Sequence, residues 1–122
     1  MKVITEIEVP EKWKITNDWD SHGSLLYLAL KNSVGNVAEI GSGLGSTPFI
    51  REYCKEHERL FRSYETNIEW AQKTLSFVVY SYLRDYSEFQ LVFIDCAPGE
   101  LRKDLIDLNK NNELIVVHDT ES

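Results

Sequence analysis

The stretch from residue 36 to residue 47 constrains the fold most, because it holds three of the chain's six glycines at alternating positions. These are Gly41, Gly43 and Gly45. A short run with strand character, Val37–Ile40, precedes them, and Thr47 opens a segment with helical spacing. Glycines suit a loop whose backbone turns sharply and contacts a ligand, since a Cβ would block that approach. The pattern therefore predicts a strand, a glycine loop and a helix around a bound cofactor.

The details of this loop discriminate among cofactors. A phosphate-binding P-loop requires a lysine after its last glycine, whereas Ser46 and Thr47 follow here. A dinucleotide fingerprint has a wider gap between its second and third glycines than this loop has. Glu39 would repel a phosphate but favour a ligand that carries an ammonium or sulfonium group. We therefore expect a cationic, amino-acid-like ligand in preference to ATP or a nicotinamide dinucleotide.

Glu39 and the loop resemble the first motif of class I S-adenosylmethionine-dependent methyltransferases, an acidic residue followed by Gly-x-Gly-x-Gly. Three later segments resemble further motifs of that family and follow in the family's order. They are residues 62–67 with Glu65, residues 91–98 with Asp95, and residues 114–119 with Asp119. The resemblance covers roughly residues 20 to 120, and four motifs in order are more specific than one glycine motif.

This resemblance implies a Rossmann-like, doubly wound α/β fold of about five parallel strands in the order 3-2-1-4-5, with helices on both faces. It also implies S-adenosylmethionine as the cofactor and methyl transfer to an oxygen or nitrogen of a small-molecule acceptor. Glu65 would take both ribose hydroxyls, and the free N–H groups at the start of the helix after the loop would hold the cofactor's carboxylate. The expected cofactor-binding residues are Glu39, Gly41, Ser42, Gly43, Gly45, Ser46, Thr47, Glu65 and Asp95.

Methyl transfer from a sulfonium is an in-line displacement, so the protein mainly aligns the groups and removes the acceptor's proton. Catalytic roles are expected for Asp95, His118 and Asp119, which would lie at the carboxyl ends of neighbouring strands. The alternatives are a structural carboxylate for Asp95 and a hydrogen-bonded core histidine for His118. In a branch resembling catechol O-methyltransferase, matching aspartates and an asparagine hold a divalent metal. Thr120 replaces that asparagine, so the resemblance does not support a metal site.

Composition limits the partners and the location. A net charge of −7 over 122 residues disfavours binding to nucleic-acid phosphates, which requires clustered basic side chains. No apolar run approaches the ~20 residues of a membrane span, and the first ten residues lack an apolar signal core. We therefore expect a cytoplasmic protein. Cys54 and Cys96 lack the spacing of a metal or redox motif and are expected to be buried thiols.

Residues 1–19 lack sustained periodicity and are predicted to form an N-terminal arm, with residues 20–122 as the cofactor-binding domain. We predict a first helix from about residue 20 to residue 32, Thr47 as the N-cap of the second and Asn67 as the N-cap of the third. Further strands are predicted at residues 60–64, 76–83, 91–94 and 114–117, a last helix at 101–108, and a shortened crossover before residue 91.

The resemblance implies a seven-stranded sheet whose last two strands shape the acceptor pocket, and the sequence contains no counterpart of them. We expect a second copy of the chain to cover the sheet edge at residues 114–117 and to complete that pocket. Three functions remain open at this point. They are an S-adenosylmethionine-dependent methyltransferase, a noncatalytic binder of S-adenosylmethionine or S-adenosylhomocysteine, and a NAD-linked oxidoreductase, which the glycine spacing disfavours.

Overall fold

The computed structural model describes residues 2–5, 21–95, 99–110 and 112–117. These residues form an α/β structure with six parallel strands in one sheet and four helices. The strands are β1 (Lys2–Thr5), β2 (Val37–Ile40), β3 (Phe61–Glu65), β4 (Phe77–Val78), β5 (Leu91–Ile94) and β6 (Leu114–Val117). The helices are α1 (Ser21–Lys31), α2 (Ser46–Glu56), α3 (Ile68–Thr74) and α4 (Gly99–Leu108).

The strands lie in the order β4-β3-β2-β5-β6-β1. The predicted α/β class with parallel strands is confirmed. The predicted count of five strands was wrong, and the observed order differs from the predicted one because β1 joins the sheet beside β6. The difference is confined to this added strand.

Strand β1 falls in the segment that we expected to lie over the body as an arm. Val3 pairs with Ile115 and Ile4 with Val116, and the side chain of Ile4 is only 1% exposed. Only two of its four residues, Val3 and Ile4, are apolar, so β1 lacks the continuous apolar run by which the equally short β5 and β6 were predicted. The rest of the predicted arm, residues 6–19, lies outside the described residues. The edge of β6 that we expected a second copy to cover is paired by β1 of the same chain.

Each face of the sheet carries its own hydrophobic core, since successive side chains of a strand point to opposite faces. Helices α1 and α2 cover one face, and α4 packs on the other with residues 79–89. The first core contains Ile4, Leu25, Leu26, Leu28, Ala29, Leu30, Val37, Ile50, Cys54, Leu91, Phe93, Leu114 and Val116. The second contains Ala38, Ile40, Tyr64, Tyr86, Phe89, Val92, Ile94, Leu105, Ile115 and Val117.

Residues 79–90 connect β4 to β5 without a helix, in agreement with the predicted shortened crossover. The strand predicted at 76–83 was wrong in length, because only Phe77 and Val78 pair with β3. Beyond them the Val79 N–H donates to the Glu65 carbonyl, and the chain then leaves the sheet. Tyr86 and Phe89 become fully buried in this segment, so tertiary packing overrides the β-propensity of its residues.

Two asparagines after α4 satisfy the backbone of this irregular segment. Asn109 Oδ1 accepts from the Tyr86 N–H at 2.5 Å, and its amide nitrogen donates to the Arg84 carbonyl at 3.0 Å. The Asn112 amide nitrogen donates to the carbonyls of Tyr86 and Phe89 at 2.8 and 2.6 Å. Buried backbone N–H and C=O groups outside a sheet or helix need hydrogen-bond partners. These two side chains supply the bonds that the backbone of a regular helix or strand would otherwise make.

Other local predictions can be checked directly. Asn67 is the N-cap of α3, since its side chain accepts from the Trp70 N–H at 2.9 Å. Cys54 is a buried free thiol, and burial raises its pKa to about 11 although Arg59 opposes that effect. Cys96 lies outside the described residues. None of the helices in the described ranges is long and apolar enough to cross a membrane.

Replacing Asn109 by alanine is expected to lower the free energy of unfolding by about 2–3 kcal/mol, because it leaves a buried N–H and a carbonyl without partners. Asn109→Asp keeps the acceptor for the Tyr86 N–H but buries a charge and sets a carboxylate oxygen against the Arg84 and Leu105 carbonyls, so it should cost at least as much. Urea denaturation measures both, with the exposed neighbour Lys110→Ala as the control. Equal stability of Asn109→Ala and Lys110→Ala would contradict this account of residues 79–90.

Candidate functional site

Three strands end at the same level, at one edge of the sheet. Ile40 pairs with Tyr64 on one side and with Ile94 on the other, so the residues that follow them emerge side by side. Those residues are Gly41, Glu65 and Asp95. Strand β2 lies here between β3 and β5, which the chain reaches in opposite directions, and such switch points form the binding crevices of open α/β sheets.

The glycine loop that follows β2 turns at Gly41, which has a φ of +88° that other residues rarely adopt. Its N–H continues the sheet by donating to the Tyr64 carbonyl at 2.8 Å. A Cβ on Gly43 would lie 2.7 Å from the Ser46 hydroxyl oxygen, so this position is closed by the protein itself. A Cβ on Gly45 would meet nothing within 4 Å. Nothing in the described chain therefore explains the third glycine of the motif sterically.

Glu39 lies inside the protein and is only 1% exposed. Its Oε1 accepts from the hydroxyls of Thr47 at 2.5 Å and Ser63 at 2.8 Å, and its Oε2 accepts from the Ser46 hydroxyl at 2.7 Å. Three hydroxyls from α2 and β3 thus converge on one carboxylate of β2. Glu39 fixes the start of α2 against the sheet from inside and does not line the open side of the loop.

Burial raises the pKa of the Glu39 carboxyl above its ordinary value, although the bonds from Thr47, Ser46 and Ser63 oppose this shift; the charge of Asp95 adds to it. A cavity of about 10 Å³ borders both acidic residues and the Leu25 side chain of α1. It has room for about one water molecule. This part of the site is therefore packed almost solid.

Helix α2 begins differently from the prediction. It starts at Ser46 with Gly45 as N-cap, and no side chain caps it. The prediction that Thr47 is the N-cap was wrong, because the Thr47 hydroxyl is engaged elsewhere: it donates to Glu39 and accepts from the Gly43 N–H at 2.9 Å. Pro48 lies in the first turn, where a missing N–H removes no helical hydrogen bond.

Glu65 ends β3 and is 6% exposed. Its Oε1 accepts from the N–H and the hydroxyl of Ser42, both at 3.1 Å. Its Oε2 accepts from the Asn67 N–H at 2.9 Å and from the Tyr82 hydroxyl at 2.8 Å. The carboxylate thus joins the glycine loop, the start of α3 and the segment after β4.

Partial burial opposes ionisation of Glu65, but the bonds from Asn67, Ser42 and Tyr82 outweigh it and lower the pKa of this carboxyl. Glu39 and Glu65 are therefore shifted in opposite directions although both are buried. Burial is the largest effect on both carboxyls and raises the pKa of Glu39 more strongly, because Glu39 lies deeper in the protein. Glu65 in addition accepts two backbone N–H groups, which are fixed donors, whereas Glu39 accepts only side-chain hydroxyls.

Ser42 has no polar group left over in this arrangement. Besides the two bonds to Glu65, its carbonyl accepts from the Trp70 indole N–H at 2.7 Å, and its hydroxyl accepts from Thr74 at 2.9 Å. The first residues of the loop are thus held by α3, whereas the loop opens to solvent at Leu44 and Gly45, both exposed.

Asp95 follows β5 directly, and its N–H donates to the Ile40 carbonyl at 2.8 Å, which fixes the backbone at the strand end. The side chain is partly buried next to the small cavity. His118, Asp119 and Thr120 lie outside the described residues, so their expected roles stay predictions. Within the described ranges, no group of three or more His, Cys, Asp or Glu side chains is placed to hold a metal ion.

The structure adds three residues that sequence reasoning missed: Ser63, Trp70 and Tyr82. A serine in the middle of a buried strand was the available signal for Ser63, which stands opposite Glu39 in the β2–β3 register. Trp70 lies on the first turn of α3, and nothing in the sequence relates it to the loop. Tyr82 was assigned to a strand, which concealed its contact with Glu65.

A larger cavity of about 440 Å³ lies near the opposite edge of the sheet, beside Asn36 and the end of α1. Its arginine, Arg59, is engaged by the fold, because it donates to the carbonyls of Gly35 and Leu30 and to the Ser33 hydroxyl. This cavity contains none of the residues singled out by the motifs.

Comparison with known proteins adds no relative, since no family model, no curated protein and no solved structure matches the chain. The arrangement of the site must therefore be interpreted from its own geometry and chemistry.

The opposite pKa shifts predict opposite pH effects on stability. Native Glu39 holds its proton to higher pH than the ordinary value of 4.5, so it contributes a free energy of unfolding that falls as pH rises above 4.5 through the native pKa. Native Glu65 contributes stability above 4.5 that is lost as pH falls. Glu39→Gln should remove the first dependence and Glu65→Gln the second.

Urea denaturation between about pH 3 and pH 8 measures both effects through the slope of the unfolding free energy against pH. The exposed residue Glu56 supplies a control, Glu56→Gln, that should follow the unmodified protein. A Glu39→Gln profile parallel to that of the unmodified protein would show that Glu39 is not the group with the raised pKa.

Proposed function

We propose that the chain is an S-adenosylmethionine-dependent methyltransferase with a Rossmann-like fold, which binds its cofactor across the carboxyl ends of β2, β3 and β5. One observation carries the proposal. The glycine loop, Glu65 and Asp95, which come from three separate motifs, meet at one edge of the sheet at its switch point. The sheet order would bring together any residues that follow these strands, so their chemistry supports the proposal: a glycine loop lies between two carboxylates at the switch point.

The residues at this edge fit the proposed cofactor. Gly45 leaves open space where any other residue would place a Cβ, so a ligand can approach the main chain. Glu65 has a lowered pKa and is ionised at neutral pH, which suits it to accept hydrogen bonds from ribose hydroxyls. The N-terminus of α2, where the N-cap Gly45 is exposed, can hold the ligand's carboxylate. The bound cofactor would supply the methyl group.

The role of Glu39 differs from the expectation of direct cofactor contact. Its burial and its three hydroxyl partners make it a support for the loop and for α2. We therefore assign the contact with the ligand's cationic groups to Asp95, which follows β5 at the rim of the same site. Ser46 and Thr47 likewise act through Glu39, since their hydroxyls bond to its carboxylate.

For the chemical step, we propose that the chain mainly positions the acceptor, a small molecule, and that His118 removes its proton with Asp119 beside it. The acceptor side of the site involves residues beyond β6. If a second copy of the chain contributes to it, the contact cannot use the edge of β6, because β1 already pairs with it.

Isothermal calorimetry with S-adenosylmethionine, S-adenosylhomocysteine and NAD tests the binding part of the proposal. We expect the two adenosyl compounds to bind and NAD not to bind. A screen of small acceptors with a labelled methyl group then distinguishes a methyltransferase from a noncatalytic binder of the same cofactor. Binding of NAD alone would replace the proposal with an oxidoreductase.

Gly45→Ala separates binding from folding. The residue has a helical conformation, with φ −95° and ψ −48°, and a Cβ there meets nothing. Alanine should therefore leave stability unchanged or raise it by about 0.4–1 kcal/mol. It should nevertheless weaken S-adenosylhomocysteine binding about tenfold or more, because the Cβ occupies the ligand's approach to the main chain. Unchanged affinity would place the ligand elsewhere.

Asp95→Ala should weaken S-adenosylmethionine binding about tenfold, since it removes the carboxylate assigned to the ligand's ammonium group. Calorimetry measures the affinity, and a urea titration confirms that the variant is folded. Asp104→Ala, an exposed site on α4, is the matched control and should bind like the unmodified protein. Equal affinity of the two variants would show that Asp95 does not bind the ligand and has a structural role.

A further inference from the structure

The Glu65 carboxylate is saturated by its neighbours. A carboxylate has two oxygens with about four acceptor positions in total. Four hydrogen bonds occupy them: two reach Oε1 from Ser42, and two reach Oε2 from Asn67 and Tyr82. A ligand hydroxyl can therefore bond to Glu65 only if one of the present donors leaves.

The four donors are not equivalent. Two are backbone N–H groups, of Ser42 in the glycine loop and of Asn67 at the start of α3, and the fold fixes both. The other two are side-chain hydroxyls, one on each carboxylate oxygen, from Ser42 and Tyr82. A vicinal diol carries two hydroxyl donors on adjacent carbons, so it matches the number and the chemistry of the two replaceable groups.

The two hydroxyls differ in how they can leave. Ser42 can turn its hydroxyl about one bond, and Thr74 remains beside it as a partner at 2.9 Å. Tyr82 cannot, because its oxygen lies at the end of a rigid ring that packs against the second hydrophobic core. Its oxygen also accepts from the Thr66 N–H at 3.4 Å and the Thr66 hydroxyl at 3.3 Å. Its release requires a shift of the helix-free segment that carries it.

We propose that Tyr82 is a specificity-determining residue, whose hydroxyl occupies one of the two diol positions on Glu65 and must be displaced by a ligand that uses both of its hydroxyls. This inference rests on the proposed function and deepens it. A ligand with one hydroxyl can replace the Ser42 hydroxyl and leave Tyr82 in place. Tyr82 therefore competes more strongly with ribonucleosides than with deoxyribonucleosides at this site.

Calorimetry with S-adenosylhomocysteine, adenosine and 2′-deoxyadenosine tests the inference on the whole chain. Tyr82→Phe removes the competing hydroxyl and keeps the ring, so S-adenosylhomocysteine and adenosine should bind about tenfold more tightly. The gain for 2′-deoxyadenosine should be smaller. Tyr80→Phe is the matched control, because Tyr80 lies in the same segment with its side chain fully exposed, and it should change none of the three affinities.

The outcomes separate this inference from the proposed function. If the unmodified chain binds S-adenosylhomocysteine and Tyr82→Phe leaves its affinity unchanged or weakens it, the competitor role of Tyr82 is wrong and the proposed function stands. If no adenosyl compound binds to any form of the chain, both fail. Thr66→Val removes a hydroxyl that donates to the Tyr82 oxygen at 3.3 Å, so it should hold Tyr82 less firmly and also tighten diol binding. It tests the same competitor if Tyr82→Phe does not fold, and unchanged affinity would then contradict the inference.

Discussion

The site depends on a carboxylate that is buried where three elements meet. Removing a charged group from water is costly unless its hydrogen-bonding positions are filled. Glu39 meets this requirement with hydroxyls from Ser46, Thr47 and Ser63, which belong to α2 and β3. The same bonds fix the helix start relative to the two strands. The glycine loop is short and lies between these fixed points, so its shape is set by its anchors.

Glu39 and Glu65 show how neighbours divide two similar residues into different roles. Both end up beside the glycine loop, both are largely buried, and both bond to hydroxyls. Glu39 lies deeper, and burial raises its pKa, whereas Glu65 also accepts fixed backbone N–H groups and its pKa is lowered. One residue therefore supports the loop from the core, and the other presents a charge at the rim. From the motifs alone, both residues were expected to contact the ligand.

The sequence predicted much of the fold because central parallel strands and their loops carry strong local signals. Three short apolar runs form strands at the predicted positions: Val37–Ile40, Leu91–Ile94 and Leu114–Val117. Asn67 is the predicted N-cap of α3, because its side chain accepts from a free N–H of the helix start. What could not be predicted depends on contacts between distant residues. β1 has only two apolar residues, and its position depends on pairing with β6 far along the chain. The Thr47 hydroxyl bonds to Glu39, eight residues earlier in the chain, instead of capping its own helix.

The shortened crossover links the architecture to the chemistry of the site. A regular helix between β4 and β5 would satisfy its own backbone and pack on the sheet through its apolar side chains. Residues 79–90 instead rely on Asn109 and Asn112 for their backbone partners, and this irregular path brings Tyr82 to Glu65. Tyr82 and Tyr86 lie four residues apart on this segment. Tyr86 is buried in the core, whereas Tyr82 bonds to Glu65 at the rim of the site. The Tyr86 hydroxyl donates to the Tyr82 carbonyl at 2.9 Å. A displacement of Tyr82 by ligand must therefore act against that anchored bond. For this reason the segment that replaces the helix can influence which ligands the site accepts, although it lies outside every motif of the sequence.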